Sequence, residues 1–207
     1  DNHYHSIGGG SGVDLSGARR IKDVLDAIAA WPAVTGPGEV IVTNSDWHEG
    51  QLAEQRLPYR DDLDKAVPDH PVVVVRGGHE YILSSAGLKR WNITRSTPEP
   101  EGGRIGRYED GRLNGELVDR AKSLVTLPEQ PAPSFEERVS ALAEEYGLLN
   151  AVGLTNIRYA GGSPELYRAI QTLKERDQLT VRVNFLFRVP NSARLEDQED
   201  LVAQWDA

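Results

Sequence analysis

The sequence predicts an α/β fold: a partial (βα)8 barrel of the TIM type, about its first four βα units, carrying a mixed α+β insertion. Three observations predict it. Short apolar strands alternate with helical stretches through short connections, the pattern of parallel βα units rather than of a sandwich or a bundle. That regularity breaks between 46 and 133. Taking those 88 residues out of the 207 leaves 119, close to half of the roughly 250 residues of a complete barrel. The expected division is therefore 1–45 and 134–207 as partial barrel, with 46–133 as an inserted subdomain. A complete open sheet of four or five strands fits the same length and stays open on these grounds alone.

The elements follow in order. The chain begins DNHYHSIGGGSG, the end of a first strand running into a glycine loop. Ile21, Val24, Leu25, Ile28 and Trp31 recur at helical spacing, predicting a helix over 17–33 that the Pro/Gly cluster AVTGPGE terminates. EVIVTN at 39–44 is a short, β-branched buried strand. Within the irregular region, PVVVVRGGHEYIL reads as a strand or a bent pair about Gly77 and Gly78, and GGRIGRYEDGRLNGELV as a hairpin. At Ser134 a capping box with Glu137 opens a helix whose apolar positions are Val139, Leu142, Tyr146 and Leu149. LTNIRY at 154–159 is a strand; SPELYRAIQTLKER is a helix with Ser163 as cap and Pro164 in its first turn. TVRVNFLFRV alternates as a strand, and a last helix starts near Leu195.

Composition narrows the function. A formal charge of -9 with no basic cluster argues against a nucleic-acid partner. No apolar run reaches about 18 residues, so no membrane span is expected; no charged-then-apolar leader suggests secretion, and the expected location is cytoplasmic. Cysteine and methionine are both absent. Disulfides and thiolate metal sites are thereby excluded, His, Asp and Glu are left as metal ligands, and a chain without an initiator is expected to be a piece of something longer.

His3 and His5 carry the first chemistry. Alternate residues of a strand share a face, so the two imidazoles point the same way, with Asp1 behind them, and they can reach one Zn²⁺ or similar divalent ion. A catalytic site needs at least a third ligand and an open position. Two histidines near a terminus can equally stand exposed and idle. Trp47 and His48 follow a strand directly, where an aromatic either packs or lines a pocket mouth. Arg60 has Asp61, Asp62 and Asp64 beside it and is expected to be ion-paired, while His70 in PDHP is expected to be exposed. Arg158 sits at a strand end, where it would meet a carboxylate substrate or form a salt bridge. The Gly8 to Gly10 run lacks the strand and helix of a dinucleotide site.

The motif DNHYH resembles the Asp-x-His-x-His sequence that ends the first barrel strand in the amidohydrolase superfamily of metal-dependent hydrolases. LPYRDDLDKAVPDHPVVVVRGGHEYILSSAGLKRWNI, GGRIGRYEDGRLNGELVDRA and GLTNIRYAGG resemble, in that order, segments of amidohydrolase family 3, the branch with N-substituted formamide deformylase-like enzymes. The resemblance covers nearly the whole chain. It implies that His3 and His5 bind a divalent metal, zinc by expectation, and that Asp1 supports them without binding the ion. It also implies that His79 faces substrate. Ser84 and Ser85 stand where the family has Asn-Ser, and Tyr159 where it usually has an acid. Its remaining ligands, a lysine or acid, two histidines and an aspartate, would lie beyond Ala207.

The expected function is thus a fragment of a metal-dependent hydrolase acting on non-peptide C–N bonds of a small amide-type substrate, inactive by itself. His3 and His5 are its metal ligands, with Trp47, His79, Arg158 and Tyr159 as substrate contacts. The alternative is a noncatalytic α/β binding or interaction domain. Association of two copies would cover the unpaired edge of the last strand.

Overall fold

The computed structural model describes residues 3–5, 10–31, 36, 38–129, 133–189 and 194–206. Asp1, Gly8 and Gly9, on which parts of the expectation fall, lie outside them. The chain forms two compact units, one of Gly8–Gln130 and one joining Asp1–Ile7 to Pro131–Ala207.

The Gly8–Gln130 unit is built on a five-stranded sheet. Its strands are β1 (Ile41–Val42), β2 (Val72–Arg76), β3 (Glu80–Leu83), β4 (Gly103–Arg107) and β5 (Leu113–Asp119), in the order β1-β2-β3-β5-β4. β1 runs parallel to β2; the other pairs are antiparallel. The predicted hairpins form about Gly77 and Gly78 and about Tyr108–Arg112. Because side chains alternate along a strand, the sheet feeds two cores. Val72, Val74 and Ile82 pack with α1 (Ile21–Ala30) and α2 (Arg60–Ala66), whereas Val73, Leu83 and Leu117 pack with Leu88 of α3 (Ser85–Arg90). Gly115 has φ +92°, and a Cβ there would stand 2.2 Å from the Leu83 carbonyl oxygen, so the crossing of β5 and β3 needs a glycine.

Two expectations change here. The helix at the start of this unit begins at Ile21 rather than at 17, because the Asp23 carboxylate reaches back to accept from the amides of Arg19 and Arg20, each at 2.9 Å, fixing the first turn there. The EVIVTN strand does not join the repeating layer. Its amides pair with the region read as an insertion, Ile41 N donating to Pro71 O at 2.8 Å and Thr43 N to Val73 O at 3.1 Å. Residues 8–45 thus belong with 46–130, so the layer at the other end of the chain has three described strands where four were expected.

That second unit contains a short strand segment at Tyr4, β6 (Asn156–Gly162) and β7 (Arg182–Phe187), all parallel. α4 (Phe135–Ala151) precedes β6, α5 (Pro164–Glu175) links β6 to β7, and α6 (Leu195–Asp206) follows. The Ser134–Glu137 capping box forms as the sequence predicts, Glu137 N donating to Ser134 Oγ at 3.3 Å and Ser134 N to Glu137 Oε2 at 2.8 Å. Ser163 Oγ accepts from Leu166 N at 3.2 Å and starts α5. The helices cover one face of the layer: Val139, Leu142, Tyr146 and Leu149 of α4 meet Tyr4 and Ile157, together with Ala169 and Leu173 of α5. This is a parallel βα arrangement. A closed or partial barrel is a further step that these strands alone do not make.

Candidate functional site

The short segment His3–Tyr4–His5 is tied to β6 through Tyr4, whose N–H donates to Arg158 O at 2.9 Å and whose carbonyl accepts from Ala160 N at 2.8 Å. The alternation of a strand then decides every direction. Tyr4 is 7% exposed and turned into the helix layer; His3 and His5 are exposed on the opposite face. Their Nε2 atoms approach to 3.0 Å, with ring centroids 4.7 Å apart and planes at 84°. Only one Nε2 can carry a hydrogen in such a contact, so the other presents its lone pair.

This geometry can be tested against a metal ion. With bonds of about 2.0–2.1 Å to each nitrogen, two Nε2 atoms at that separation subtend roughly 94° at a shared ion, and opening them by about 0.3 Å reaches the tetrahedral angle. The pair therefore fits as two cis ligands. Among the described residues no group of three or more His, Cys, Asp or Glu side chains could hold an ion.

Arg158 shares the histidine face. Tyr4 is in register with Tyr159, and both turn toward the helices, which leaves Arg158 exposed on the other side. Asn184 of β7 is in register with Arg158, and Arg182 with Asn156. A polar row thus crosses the strands beside the histidines. Tyr159 is not part of it. Its ring lies edge-on to Tyr4 at 5.6 Å and stacks on Phe185 at 5.6 Å, because adjacent residues of a strand cannot face the same side.

Behind the histidines the helix layer is unusually polar for a core. The Tyr4 hydroxyl donates to the Glu145 carboxylate of α4. Burial first, and then this carboxylate, push the Tyr4 phenol well above its ordinary pKa. Tyr146 is fully buried, its hydroxyl has no hydrogen-bond partner among the described residues, and burial raises its pKa as well. The sequence signal for Tyr4 was the residue lying between two histidines. Glu145, 141 positions away in the chain, gave none.

The other sequence-predicted residues lie in the Gly8–Gln130 unit. His79 occupies the β2–β3 turn, with its side chain 77% exposed and Nδ1 2.7 Å from Asp119 Oδ1 at the end of β5. Trp47 is a core residue, its indole N–H donating to Val75 O at 2.8 Å, so both its ring and its polar atom are used in packing. His48 accepts from Gly50 N at 2.9 Å and caps a short 3₁₀ turn. Arg60 pairs with Asp61 at 3.0 Å, as its acidic neighbours imply. His70 is half-buried rather than exposed. Ser84 is fully buried, accepting from Val72 N and Gly87 N and donating to His70 O, which explains a hydroxyl at that place in purely local terms.

The sequence profile of the amidohydrolase family matches residues 1–206. The chain is 31% identical over 129 residues to the putative amidohydrolase YtcJ of Bacillus subtilis, covering 60% of this chain and 24% of that protein. It is 30% identical over 155 residues to N-substituted formamide deformylase of Arthrobacter pascens, covering 72% and 28% respectively. The chain thus spans about a quarter of the length of these curated relatives. A solved metal-dependent hydrolase from Pyrococcus horikoshii, itself uncharacterized, aligns with 85% of this chain and 32% of its own. The TM-score of 0.41 at 19% identity is too loose a likeness to fix the fold.

Proposed function

The chain belongs to the amidohydrolase family, and from that premise we propose that it supplies two metal ligands and part of the substrate face of a metal-dependent hydrolase of non-peptide C–N bonds. One observation carries this reading: His3 and His5 bring their Nε2 atoms to 3.0 Å on an exposed sheet face. A divalent ion, zinc by the imidazole donor set, would supply Lewis acidity toward an amide carbonyl and acidify a coordinated water when bound there.

This chain's own residues do the rest of what is proposed. To bind the ion, both Nε2 lone pairs would have to turn to it, so the hydrogen that one Nε2 carries in the His3–His5 contact would move off that nitrogen. Arg158 stands one strand over, and its planar guanidinium suits an anionic group of the substrate, a carboxylate or the oxygen that gains charge during attack. His79 is a second substrate-facing proposal, held by Asp119. The described strand residues of the histidine face include no carboxylate to take a proton from the attacking water, and we propose that this chain alone binds the ion weakly and turns over nothing. Its substrate is a small amide, formamides included.

The test is a Zn²⁺ titration of the chain followed through its imidazole ¹H–¹⁵N signals. The His3 and His5 signals should move together, and His3→Ala should weaken binding about tenfold or more. Binding that ignores His3→Ala would favour a noncatalytic domain with incidental histidines. Zinc-dependent hydrolysis of an N-substituted formamide by this chain would refute the proposed inactivity.

A further inference from the structure

We propose that Asp119 is a positioning residue for His79: its carboxylate holds the hydrogen of the neutral imidazole on Nδ1, so that Nε2 is presented as a hydrogen-bond acceptor. This rests on the reading of His79 as a substrate contact.

The backbone first brings the two residues together. Glu80 pairs with Val118 in the β3–β5 ladder, and one step beyond it the Asp119 N–H donates to His79 O at 2.7 Å. Residues directly opposite each other on antiparallel strands set their side chains side by side, and His79 Nδ1 lies 2.7 Å from Asp119 Oδ1. An ionised carboxylate only accepts, so the hydrogen of this contact sits on Nδ1, and in a neutral ring Nε2 keeps its lone pair.

The backbone of Asp119 is the second observation. Its φ of +49° and ψ of -116° fall in the region of the first central residue of a type II′ turn, where glycine is the usual occupant. Nine described glycines of this chain take positive φ, so glycine stands at many of its tight turns. An aspartate kept in a conformation that strains it calls for a use of the carboxylate. Among the described residues, the His79 imidazole is the hydrogen-bond partner of that carboxylate. The turn itself has another brace. Lys122, in the 3₁₀ turn Arg120–Leu124, donates from Nζ to Gly78 O and lies 5.1 Å from the centroid of the Tyr81 ring, so bracing the turn and orienting the imidazole can be separated by substitution.

A neutral His79 in this tautomer takes a hydrogen bond at Nε2 and cannot give one there. It therefore suits the N–H of an amide rather than its carbonyl oxygen, which favours substrates that keep a hydrogen on the amide nitrogen.

The experiment records long-range ¹H–¹⁵N imidazole spectra and melting curves of the whole chain, without metal or substrate, at a mildly alkaline pH where imidazoles are ordinarily neutral. Native His79 should show a protonated Nδ1 and an unprotonated Nε2. Asp119→Gly should exchange the two nitrogen shifts, and because glycine suits that backbone its melting temperature should not fall. Asp119→Asn offers a weaker, uncharged acceptor, should show both tautomers, and carries the test if the glycine variant does not fold. Lys122→Ala should lower the melting temperature and leave the tautomer unchanged. A native His79 with its hydrogen on Nε2, or a native pattern kept by the Asp119 variants that fold, overturns the proposal. So does a tautomer lost equally in Lys122→Ala, or a sharp fall in the melting temperature of Asp119→Gly, which would make Asp119 a structural residue. Because no metal or substrate enters, a failed zinc titration would sink the hydrolase reading without touching this result, and the reverse holds.

Discussion

The two units solve the problem of burying a sheet in opposite ways. In Gly8–Gln130 the five-stranded sheet has an apolar core on each face, one under α1 and α2 and one under α3. In the unit that joins the chain's first residues to Pro131–Ala207, helices cover one face of a parallel layer, and the other face shows Asn156, Arg158, Arg182 and Asn184 to solvent. Every large hydrophobic side chain exposed among the described residues belongs to this second unit, Leu148, Val152, Leu186 and Leu195 among them. Parallel sheets are normally buried on both sides. One region buries both faces of its sheet, whereas the other leaves a polar face exposed on the side that carries the histidines.

The largest effects should come from breaking each core separately. Leu117 and Leu173 are both fully buried, in different units, and substitution of either by alanine should cost about 2–5 kcal/mol. Hydrogen exchange should show Leu117→Ala loosening the amides of β3 and β5 while those of α4 and β6 keep their protection, with the reverse for Leu173→Ala. If either substitution loosened both sets equally, the two units would be one cooperative body. A smaller effect sharpens the contrast. Ser134→Ala removes the cap of α4 and should cost about 1 kcal/mol, read as a lower midpoint for the unit holding the histidines and no change in the other.

The smallest is a pH effect. The hydrogen bonds from Arg76, at 2.6 and 2.9 Å, hold the Glu49 carboxyl below its ordinary value of 4.5. A carboxyl with a depressed folded pKa stabilises the fold above its unfolded pKa and loses that contribution as pH falls through the folded one. Denaturation of the Gly8–Gln130 unit should therefore ease as pH drops below about 4.5, and Glu49→Gln should flatten that slope by less than about 1 kcal/mol. Glu136 in the other unit is likewise lowered by Arg176. That pair is exposed, and added salt should erase its part of the acid sensitivity first.

Much of this fold is legible in the sequence because its signals are local. The Ser134 and Glu137 pair sits within one helical turn, the spacing of Val139, Leu142, Tyr146 and Leu149 is the period of a helix, and Ser163 with Pro164 marks a helix start. Within the candidate site the common direction of His3 and His5 is equally local, since it follows from the two-residue repeat of a strand, and belonging to the amidohydrolase family is written in the order of the motifs. Even Tyr159 could have been separated from Arg158 by that repeat, as two successive residues cannot share a face.

Other features needed partners far away in the chain. The EVIVTN strand carries no mark of which sheet it will join, and only its hydrogen bonds to Pro71 and Val73 take residues 8–45 out of the repeating layer. Trp47 reads the same whether it lines a pocket or fills a core; the Val75 carbonyl settles it. Glu145 is one of many acids on an amphipathic helix until Tyr4, from the opposite end of the chain, reaches it. The strands, the two hairpins, the caps of α4 and α5 and the facing of the histidines follow from the sequence, because backbone geometry and short-range hydrogen bonds act within a few residues. Tertiary structure alone decided which strands pair and what stands behind the histidines, because those outcomes depend on burial between segments that no local spacing connects.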